Sequence, residues 1–391
     1  MFRLLLHQLG KLEPRMEQGL NPISSTFSQP RVAIVHYWLV SNRGGERVLE
    51  RLCKLYPQAD IFTHVYDPDV DFGLVSHHRI QTSFIGKLPF AKRFYQHYLP
   101  LMPLATEQLD LTNYDLIISS EAGPAKGGIR HPDATHVCYV HSPMRYLWDQ
   151  YKVYSNQFGL ASRLASPLAF HYLRNWDYIS AQRIDAVIAN SSFVKRRIRH
   201  VWGREATVVH PPVAVSEFTP QPSSIDKFYL WVGQLVPYKR PDIAIDACTR
   251  LGLPLVVVGT GAMKQSLARR AGPTVRFIDR LSYADLKLHY ACCRALLFTG
   301  EEDFGITPVE VLASGRPVIA LGKGGVLETI VDGQTGIFFN EPTVESLIEV
   351  LCVFDEWIIY FNPAIAVQHA QAFSPEQFDV SFKALLSYYG F

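Results

Sequence analysis

Two glutamates in the segment EEDFGITPVE have a spacing and a context suited to holding one charged ligand. Seven residues separate Glu302 from Glu310, and a helix is predicted to begin near Thr307. Gly305 permits close approach of the backbone, and amides at a helix start favour a phosphate. A solvated pair that caps a helix would use the same two glutamates. The FG-x-x-x-x-E context instead favours a ligand site that includes the amides after Phe304 and Gly305.

Other predicted loops carry cations and glycines that suit a diphosphate. Lys239 and Arg240, in GQLVPYKR, supply positive charge, although single cations at a helix start are more often surface charges. Gly324 and Gly325 precede a predicted helix and form either a phosphate cradle or an ordinary turn. The GTG at residues 259–261 indicates mainly a tight turn.

The first half of the chain has fewer groups of this kind. Gly44 and Gly45 lie just before a predicted helix, where their amides can approach a sugar or a phosphate. His141 follows a predicted strand, at the end that faces a ligand in parallel sheets. The aromatic residues at 146–151 suit a sugar ring or a protein core. The sequence lacks both GxGxxG and GxxxxGK[ST], which removes support for dinucleotide and NTPase functions.

No metal or cofactor site is predicted. Asp67–Asp71 (DPDVD) has the DxD spacing of a metal site, but it contains a proline and lies outside the glycine-and-glutamate segments, so we predict a turn. The six cysteines form no CxxC pair and have no histidine partners at metal-binding spacing. Reduced thiols of a cytosolic protein are the better interpretation.

Alternating apolar runs and helical patterns predict two doubly wound α/β domains of the Rossmann type, facing a central cleft. Strands are predicted in the first half at Arg31–Val35, Asp115–Ser119, His136–Val140, Asp185–Ala189 and Thr207–His210. They are predicted in the second half at Phe228–Val232, Pro254–Val258, Thr274–Ile278, Ala295–Phe298 and Pro317–Ala320, with helices at 240–251, 261–271, 282–292 and 307–315.

The domain organisation follows from composition along the chain. We predict a disordered extension at 1–30, a first domain at 31–212, and a second domain at 213–365 that begins within the Pro- and Ser-rich linker 211–226. Residues 366–391 are predicted to be helices that pack back towards the first domain. The length of 391 residues fits two domains, and the net charge of +2 gives no support for nucleic-acid binding.

No stretch reaches the ~18 apolar residues of a membrane span, so the protein is expected to be cytoplasmic, either soluble or attached peripherally to the inner membrane face. Two segments combine cations with apolar residues: Lys87–Arg93 (KLPFAKR) and Lys195–Arg199 (KRRIR). Each is either a patch that attracts anionic lipid or a solvated helix face.

The second half of the chain resembles the retaining glycosyltransferases of family four, which have the GT-B fold. The matching segments, in the family's order, are GQLVPYKRPD, VVVGTG, EDFGITPVE, ASGRPVIA, GGVLETI and DGQTGIFF. GGERVLE and CYVHSPMRYLWD in the first half are similar to a subgroup of lipopolysaccharide and exopolysaccharide mannosyltransferases.

The resemblance implies a role for each candidate residue. Glu302 would contact the transferred sugar, Glu310 the nucleotide ribose, and Lys239 the diphosphate. Gly44 and Gly45 would approach the donor phosphate, and His141 would lie near the donor sugar and the acceptor. Many family members have Arg where this chain has Gln234, so the diphosphate loses one cation, for which Arg240 is a candidate replacement.

The implied reaction is transfer of a sugar, with mannose from GDP-mannose as the favoured donor, to a polyprenyl-diphosphate-linked saccharide. Retention in this family is usually explained by same-face attack, which needs no catalytic nucleophile and, with Lys239 and amides on the diphosphate, no metal. The alternatives are a transferase with a UDP- or other GDP-sugar, a GT-B epimerase, or a protein that binds sugar nucleotides without catalysis.

Overall fold

The computed structural model describes residues 29–42, 44–151, 160–221 and 228–391, with side chains described throughout these ranges except at 160–165. The predicted extension at residues 1–30, apart from its last two residues, lies outside the described part of the chain, as do linker residues 222–226. Residues 31–391 form one compact unit that contains both parallel sheets.

The first domain is built on a parallel sheet of seven strands among the described residues. They are β1 Val32–His36, β2 Asp60–Thr63, β3 Ile80–Thr82, β4 Leu116–Glu121, β5 Thr135–Val140, β6 Ala186–Ala189 and β7 Thr207–Val208. The order is β3-β2-β1-β4-β5-β6-β7. The five predicted strands are confirmed to within two residues at each end, because fully buried strands leave apolar runs in the sequence. Strand β2 overlaps the strand-like run IFTHVY at residues 61–66, whereas β3 was not predicted, since it has three residues and is only partly buried.

Helices cover this sheet and begin and end where the sequence favours it. They are α1 Gly44–Leu55, α2 Ala91–Phe94, α3 Met102–Glu107, α4 Leu160–Ala181 and α5 Ser192–Trp202. Helix α5 begins after Ser191, whose side chain accepts a hydrogen bond from the amide of Val194, and ends at Gly203 with φ 63°. The Ser191 cap fixes the start of α5, which lies at the contact between the domains described below.

The second domain repeats the architecture with six parallel strands in the described residues. They are β8 Tyr229–Val232, β9 Leu255–Val258, β10 Val275–Ile278, β11 Ala295–Phe298, β12 Val318–Leu321 and β13 Gly336–Phe339. The order is β10-β9-β8-β11-β12-β13. The helices between them are α6 Pro241–Leu251, α7 Lys264–Arg270, α8 Tyr283–Cys292, α9 Ile306–Ala313 and α10 Val326–Thr329. The predicted α/β class with two Rossmann-like domains is confirmed.

The C-terminal helices divide between the two domains. They are α11 Val344–Trp357, α12 Pro363–Ala370 and α13 Pro375–Ser387. In α12, Ala366 and Ala370 pack in the second-domain core with Val213 and Val215 of the linker, so this part of residues 366–391 does not pack on the first domain as expected. The α13 side chains do enter the first-domain core: Phe378, Phe382 and Leu386 are all buried there.

Within the described ranges, a test of length and hydropathy finds no single helix able to cross a membrane. Val344–Tyr360 and Pro363–Ser387 pass that test only as a pair, and the chain bends by 95° between them.

Candidate functional site

The two sheets place the candidate residues at the carboxyl ends of their strands. Strand order reverses between β1 and β4 in the first sheet and between β8 and β11 in the second, which is where such folds bind ligands. The loop after β8 carries Lys239, and the loop after β11 carries Glu302. Gly44 and Gly45 begin α1, which follows β1.

Lys239 and Glu302 are in direct contact. The Lys239 Nζ atom lies 2.6 Å from Glu302 Oε1, and the two side chains are 18% and 24% exposed. Sequence spacing predicted both residues but not their pairing. A cation and a carboxylate at one point of the cleft suit a ligand that is anionic at one end and rich in hydroxyls at the other.

The turn that carries Lys239 is held in a strained conformation. Pro237–Lys239 form one 3-10 turn, and the next residue, Arg240, has φ 49°, which is uncommon for a residue other than glycine. Thr299 Oγ1 donates to the Arg240 carbonyl at 2.7 Å. A side chain at Gly300 would place its Cβ 2.7 Å from the Lys239 Cα, so glycine is required for this close approach.

Glycines also bring the Glu302 loop against the loop after β12. The amide of Gly325 donates to the Glu302 carbonyl at 2.8 Å, and a Cβ at Gly324, where φ is 90°, would lie 2.5 Å from that carbonyl oxygen. The hydrogen bond uses the Gly325 amide, so this glycine pair supports the Glu302 loop rather than presenting both amides to a phosphate. Gly305, with φ 103°, leads directly into α9.

Glu310 is buried at the start of α9 and bonded by two groups. Its carboxylate accepts from the Arg47 guanidinium at 2.5 Å and from the Tyr290 hydroxyl at 3.0 Å. Burial raises the pKa of Glu310, and the charge of Arg47 offsets part of that rise. Arg47 belongs to α1 of the first domain, so this ion pair joins the two domains across the cleft.

The start of α1 is packed tightly into the cleft. A Cβ at Gly44 would lie 2.9 Å from Ile306 Cδ1 at the start of α9. A Cβ at Gly45 would lie 2.5 Å from the Tyr37 hydroxyl and 3.6 Å from His141 Nε2. A side chain at Gly44 would therefore meet the second domain, whereas one at Gly45 would meet Tyr37 and His141 of the first domain.

His141 is fixed by its backbone and its ring. Its amide donates to the Glu121 carbonyl, and its carbonyl accepts from the Asn190 side chain at 2.9 Å. Its Nε2 lies 2.8 Å from Ser120 Oγ, which lies 3.0 Å from His36 Nδ1. Crowding that excludes water, together with the nearby His36, lowers the pKa of His141 to about 3, so its imidazole is neutral at physiological pH.

Asp303 makes a second contact between the domains. Its carboxylate lies 2.7 Å from the Arg197 guanidinium and 3.8 Å from that of Arg145. Burial raises the pKa of Asp303, and both arginines oppose the rise. Its carbonyl accepts from the Ser191 hydroxyl at 2.5 Å. The residue next to Glu302 is therefore anchored to the first domain.

A third contact uses the backbone of α5. Glu328 accepts from the amides of Ser192 at 2.8 Å and Phe193 at 3.1 Å. A carboxylate at a helix start is favourable because the first amides have no partner within the helix. Three acidic residues of the second domain thus bind groups of the first domain and join the two domains across the cleft: Glu310, Asp303 and Glu328.

The remaining candidate residues lie in varied surroundings. The Arg240 guanidinium bonds to Asp242 and to the Pro342 carbonyl, so its charge is paired with that of Asp242. Gln234 is exposed in the loop after β8. Phe304 is buried against His210 and Phe373, with ring centroids 5.4 and 5.5 Å away. Phe304 therefore supports the loop as a packed side chain.

The Asp67–Asp71 segment is a turn, as predicted. Asp67 Oδ1 accepts from the amide of Asp69 at 3.3 Å, and Lys92 pairs with both aspartates. In the part of the chain that the structure describes, no group of three or more His, Cys, Asp or Glu side chains is arranged to hold a metal ion. Metal independence stays a prediction.

Sequence patterns missed the side chains that join the domains. Arg47, Arg145, Arg197, Asp303 and Glu328 are scattered over the chain, and their partners lie more than 100 residues away. A local signal exists only for Arg47, which follows Gly44 by one helical turn, and for Asp303, which lies beside Glu302.

The architecture, two Rossmann-like domains with their strand ends facing one cleft, is that of GT-B glycosyltransferases. A family model described as "Glycosyltransferase Family 4" matches residues 42–217, and one described as "Glycosyl transferases group 1" matches residues 216–352. The two models match successive halves of the chain. The chain therefore belongs to this group of GT-B glycosyltransferases.

Several named proteins match the chain, either at low sequence identity or over short stretches. The O-antigen chain mannosyltransferase C of Escherichia coli is 27% identical over 318 residues, which is 75% of this chain and 78% of that protein. A D-inositol 3-phosphate glycosyltransferase of Nocardioides is 26% identical over 195 residues, 40% of this chain and 43% of that protein. ALG2 of Dictyostelium discoideum, an alpha-1,3/1,6-mannosyltransferase, is 52% identical over 54 residues, 14% of this chain and 13% of that protein. The chain thus spans less than half the length of two of these three relatives.

Solved structures show the same fold. Sucrose-phosphate synthase from Thermosynechococcus elongatus has a TM-score of 0.68 at 16% identity, covering 92% of this chain and 98% of that one. Anabaena HepE in complex with UDP and glucose has a TM-score of 0.66 at 18% identity, covering 92% and 99%.

Proposed function

We propose that this protein transfers a sugar from a nucleotide-sugar to an acceptor with retention of configuration. The observation that carries the proposal is the Lys239–Glu302 pair, in the loops after β8 and β11 where the strand order of the second sheet reverses, with Glu310 on the helix that follows. Their order and spacing resemble those of the family, and their contacts suit a ligand with a diphosphate, a ribose and a sugar.

Each of these groups has a distinct part in the proposed reaction. Departure of the nucleotide builds negative charge on the diphosphate, and the Lys239 ammonium stabilises it together with amides at the start of α9. Glu310 accepts hydrogen bonds from the ribose, and Glu302 positions the hydroxyls of the transferred sugar. The acceptor attacks from the face that the diphosphate leaves, and a diphosphate oxygen takes its proton, so no protein nucleophile is needed.

His141 acts by position rather than by titration. Its lowered pKa keeps the ring neutral, which suits hydrogen bonding to a sugar hydroxyl and does not suit the donation of a proton at neutral pH. Gly44 and Gly45 let the α1 amides approach the donor phosphates when the domains are closed.

Mannose from GDP-mannose is the proposed donor, and a polyprenyl-diphosphate-linked saccharide on the cytoplasmic membrane face is the proposed acceptor. The support is the match to a mannosyltransferase of E. coli over three quarters of the chain and a shorter match to a second mannosyltransferase. A UDP-sugar donor is the alternative, favoured by the fold it shares with a UDP-bound structure.

Replacing Glu302 by Gln is expected to lower turnover about 10²-fold with a small change in stability, since the side chain is part-exposed and the amide keeps its shape. The measurement is kcat for transfer, beside the thermal midpoint of unfolding. Glu301→Gln, next in the chain, is the matched control and should keep near-normal turnover. Normal turnover in Glu302→Gln contradicts its assigned role.

Replacing Arg47 by Ala is expected to raise the KM for the donor about 10-fold with less effect on kcat. Burial already raises the pKa of Glu310, and loss of the guanidinium raises it further, so less of the carboxylate is ionised and able to accept from the ribose. Activity requires the ionised form, so the acid limb of kcat/KM against pH should move to higher pH. Arg51→Ala, one turn along α1 and paired with Asp379, is the control.

An unmoved acid limb in Arg47→Ala would mean that Glu310 is not the group that titrates. A lower KM would mean that Arg47 competes with the ribose for Glu310. Each result is distinguishable from loss of folding, because far-ultraviolet circular dichroism is measured on the same samples.

The test of the function is release of nucleotide from UDP-, GDP- and ADP-sugars, with and without a short-chain lipid-diphosphate glycan, in EDTA. Acceptor-dependent GDP release from GDP-mannose supports the proposed donor and acceptor, and its persistence in EDTA supports metal independence. Turnover with another donor retains the reaction and replaces the sugar. Donor binding without release from any sugar would favour the non-catalytic alternative, and conversion of the sugar without acceptor would favour an epimerase.

A further inference from the structure

One helical segment of the first domain has an apolar stripe that the described residues leave uncovered. Residues 91–107 form a nearly continuous run of α2, a 3-10 segment and α3. Its inward side packs in a small core with Val65 and Ile85. The inward residues recur at 4-3-4-3 spacing, which is one face of a helix: Ala91, Tyr95, Tyr98, Met102 and Ala105.

A second row with the same spacing faces solvent. It consists of Phe90, Phe94, His97, Leu101 and Leu104. The four apolar members are 76%, 39%, 44% and 49% exposed. The first three rings are neighbours, with centroid distances of 6.3 Å from Phe90 to Phe94 and 5.6 Å from Phe94 to His97. We refer to these five residues as the outer stripe.

Phe90 is the most informative member of the outer stripe. Its φ of 51° places it in the left-handed region, which costs free energy for any residue with a side chain and which glycine adopts readily. The sequence nevertheless has a phenylalanine here, and its ring is directed into solvent. Folding gains little from this arrangement, which indicates that the side chain contacts something outside the chain.

The charges around the outer stripe favour an anionic partner. Residues 84–106 contain no Asp or Glu. Lys87 and Arg93 are exposed, and neither makes an ion pair within the described ranges; the Arg93 guanidinium lies 5.1 Å from the Phe94 ring. Lys92 is neutralised by Asp67 and Asp69. Apolar side chains flanked by cations are typical of helices that lie in a membrane interface.

The other cationic segment, residues 195–199, does not share this character. Arg197 is only 12% exposed and is bonded to Asp303 and Asp149, and Arg199 pairs with Glu205. Two of its four cations are therefore paired within the protein. Its one apolar residue, Ile198, is fully buried, so this segment has no exposed apolar side chain like those of the outer stripe.

We propose that the outer stripe, with Lys87 and Arg93, docks the first domain on a membrane surface that contains anionic lipids. The inference is independent of the proposed reaction, because docking needs neither donor nor acceptor. Combined with that reaction, it would hold the cleft beside an acceptor whose lipid anchor is in the bilayer.

The test is co-sedimentation of the full chain with vesicles of phosphatidylcholine alone or mixed with phosphatidylglycerol. Binding is expected only to the mixed vesicles, and weaker at high salt. Phe90→Gly should bind about 10-fold more weakly while keeping or raising the thermal midpoint, since glycine relieves the backbone strain. Lys87→Glu and Arg93→Glu should each weaken binding about five-fold or more.

Ile359→Ser is the matched control, because Ile359 is a similarly exposed apolar residue, at 77%, in a 3-10 turn after α11. Equal losses in Phe90→Gly and Ile359→Ser would overturn the proposal, as would equal binding to both kinds of vesicle. Self-association that Phe90→Gly abolishes, without vesicle binding, would assign the stripe to a second copy of the chain.

Activity assays separate this proposal from the proposed function. Phe90→Gly should transfer sugar to a water-soluble acceptor at the wild-type rate and to a vesicle-embedded acceptor more slowly. An equal fall with both acceptors would place Phe90 in the cleft and overturn docking. Vesicle binding by a protein that transfers no sugar would leave docking intact and refute the reaction.

Discussion

Replacing Lys239 by methionine is expected to lower kcat/KM for transfer about 10²–10³-fold. Methionine has a similar length and removes only the positive charge, so the leaving diphosphate loses the ammonium that stabilises it. Gln234 adds no charge at the cleft, and the Arg240 guanidinium is bonded to Asp242 and Pro342. Neither neighbour compensates for the missing cation.

The expected effect on folding is much smaller. The Lys239–Glu302 pair is 18% and 24% exposed, and a pair that remains in contact with water contributes about 1 kcal/mol or less to the free energy of unfolding. Kinetics and a urea titration on the same sample therefore separate the two effects. Lys383→Met, at an exposed position in α13, is the control for loss of one positive charge.

A double variant, Lys239→Met with Glu302→Gln, sharpens the test. If the two side chains act on one bound donor, their effects on the rate should be less than additive in free energy, as is usual for groups that work as a unit. Full additivity would indicate independent roles. A rate within a few-fold of wild type in Lys239→Met alone would refute the assignment of Lys239 to the diphosphate.

Sequence patterns predicted those strands and loops whose structure is determined by residues within the same short segment. Buried parallel strands such as Leu255–Val258 (LVVV) leave short apolar runs, and the loops after them are identified by glycines and prolines. The same reasoning failed for Ile80–Thr82, a three-residue strand that is partly exposed, since its side chains show no apolar run.

The candidate site was predicted as a set of residues but not as a set of contacts. Glu310 was predicted from its distance to Glu302, whereas its partner Arg47 lies 263 residues earlier and no local pattern connects the two. Gly324 and Gly325 illustrate a second limit. Glycine permits close approach of any partner, and the sequence cannot distinguish a phosphate from the Glu302 carbonyl that is found there.

The contacts of the first domain depend on a buried ionic cluster that the sequence analysis also missed. Lys126, Glu121 and Asp177 are fully buried, and the Lys126 ammonium pairs with both carboxylates. Asp177 accepts from the indole nitrogens of Trp148 and Trp202, each at 2.8 Å. Trp148 belongs to the loop that also carries Arg145, which reaches Asp303, so the cluster fixes the segment that meets the second domain.

Replacing Lys126 by methionine is expected to destabilise the protein by about 3–5 kcal/mol at neutral pH, because two buried carboxylates lose the cation that both contact. Burial already raises the pKa of Glu121 above its ordinary value, and the loss of Lys126 raises it further. A carboxyl group whose pKa is higher in the folded state than in the unfolded state favours folding at low pH, and this contribution is lost as the pH rises through the folded pKa. The deficit of Lys126→Met should therefore shrink as the pH is lowered.

Urea unfolding of wild type and variant at several pH values, followed by tryptophan fluorescence, measures this deficit directly, since Trp148, Trp176 and Trp202 surround the cluster. Lys92→Met, which removes an exposed cation paired with Asp67, should show no deficit at any pH. A Lys126→Met deficit that does not change with pH would mean that lost packing, rather than unpaired charge, causes it. Asp177→Asn in the Lys126→Met background removes one of the two unpaired carboxylates and should restore part of the stability at neutral pH, which lost packing would not allow.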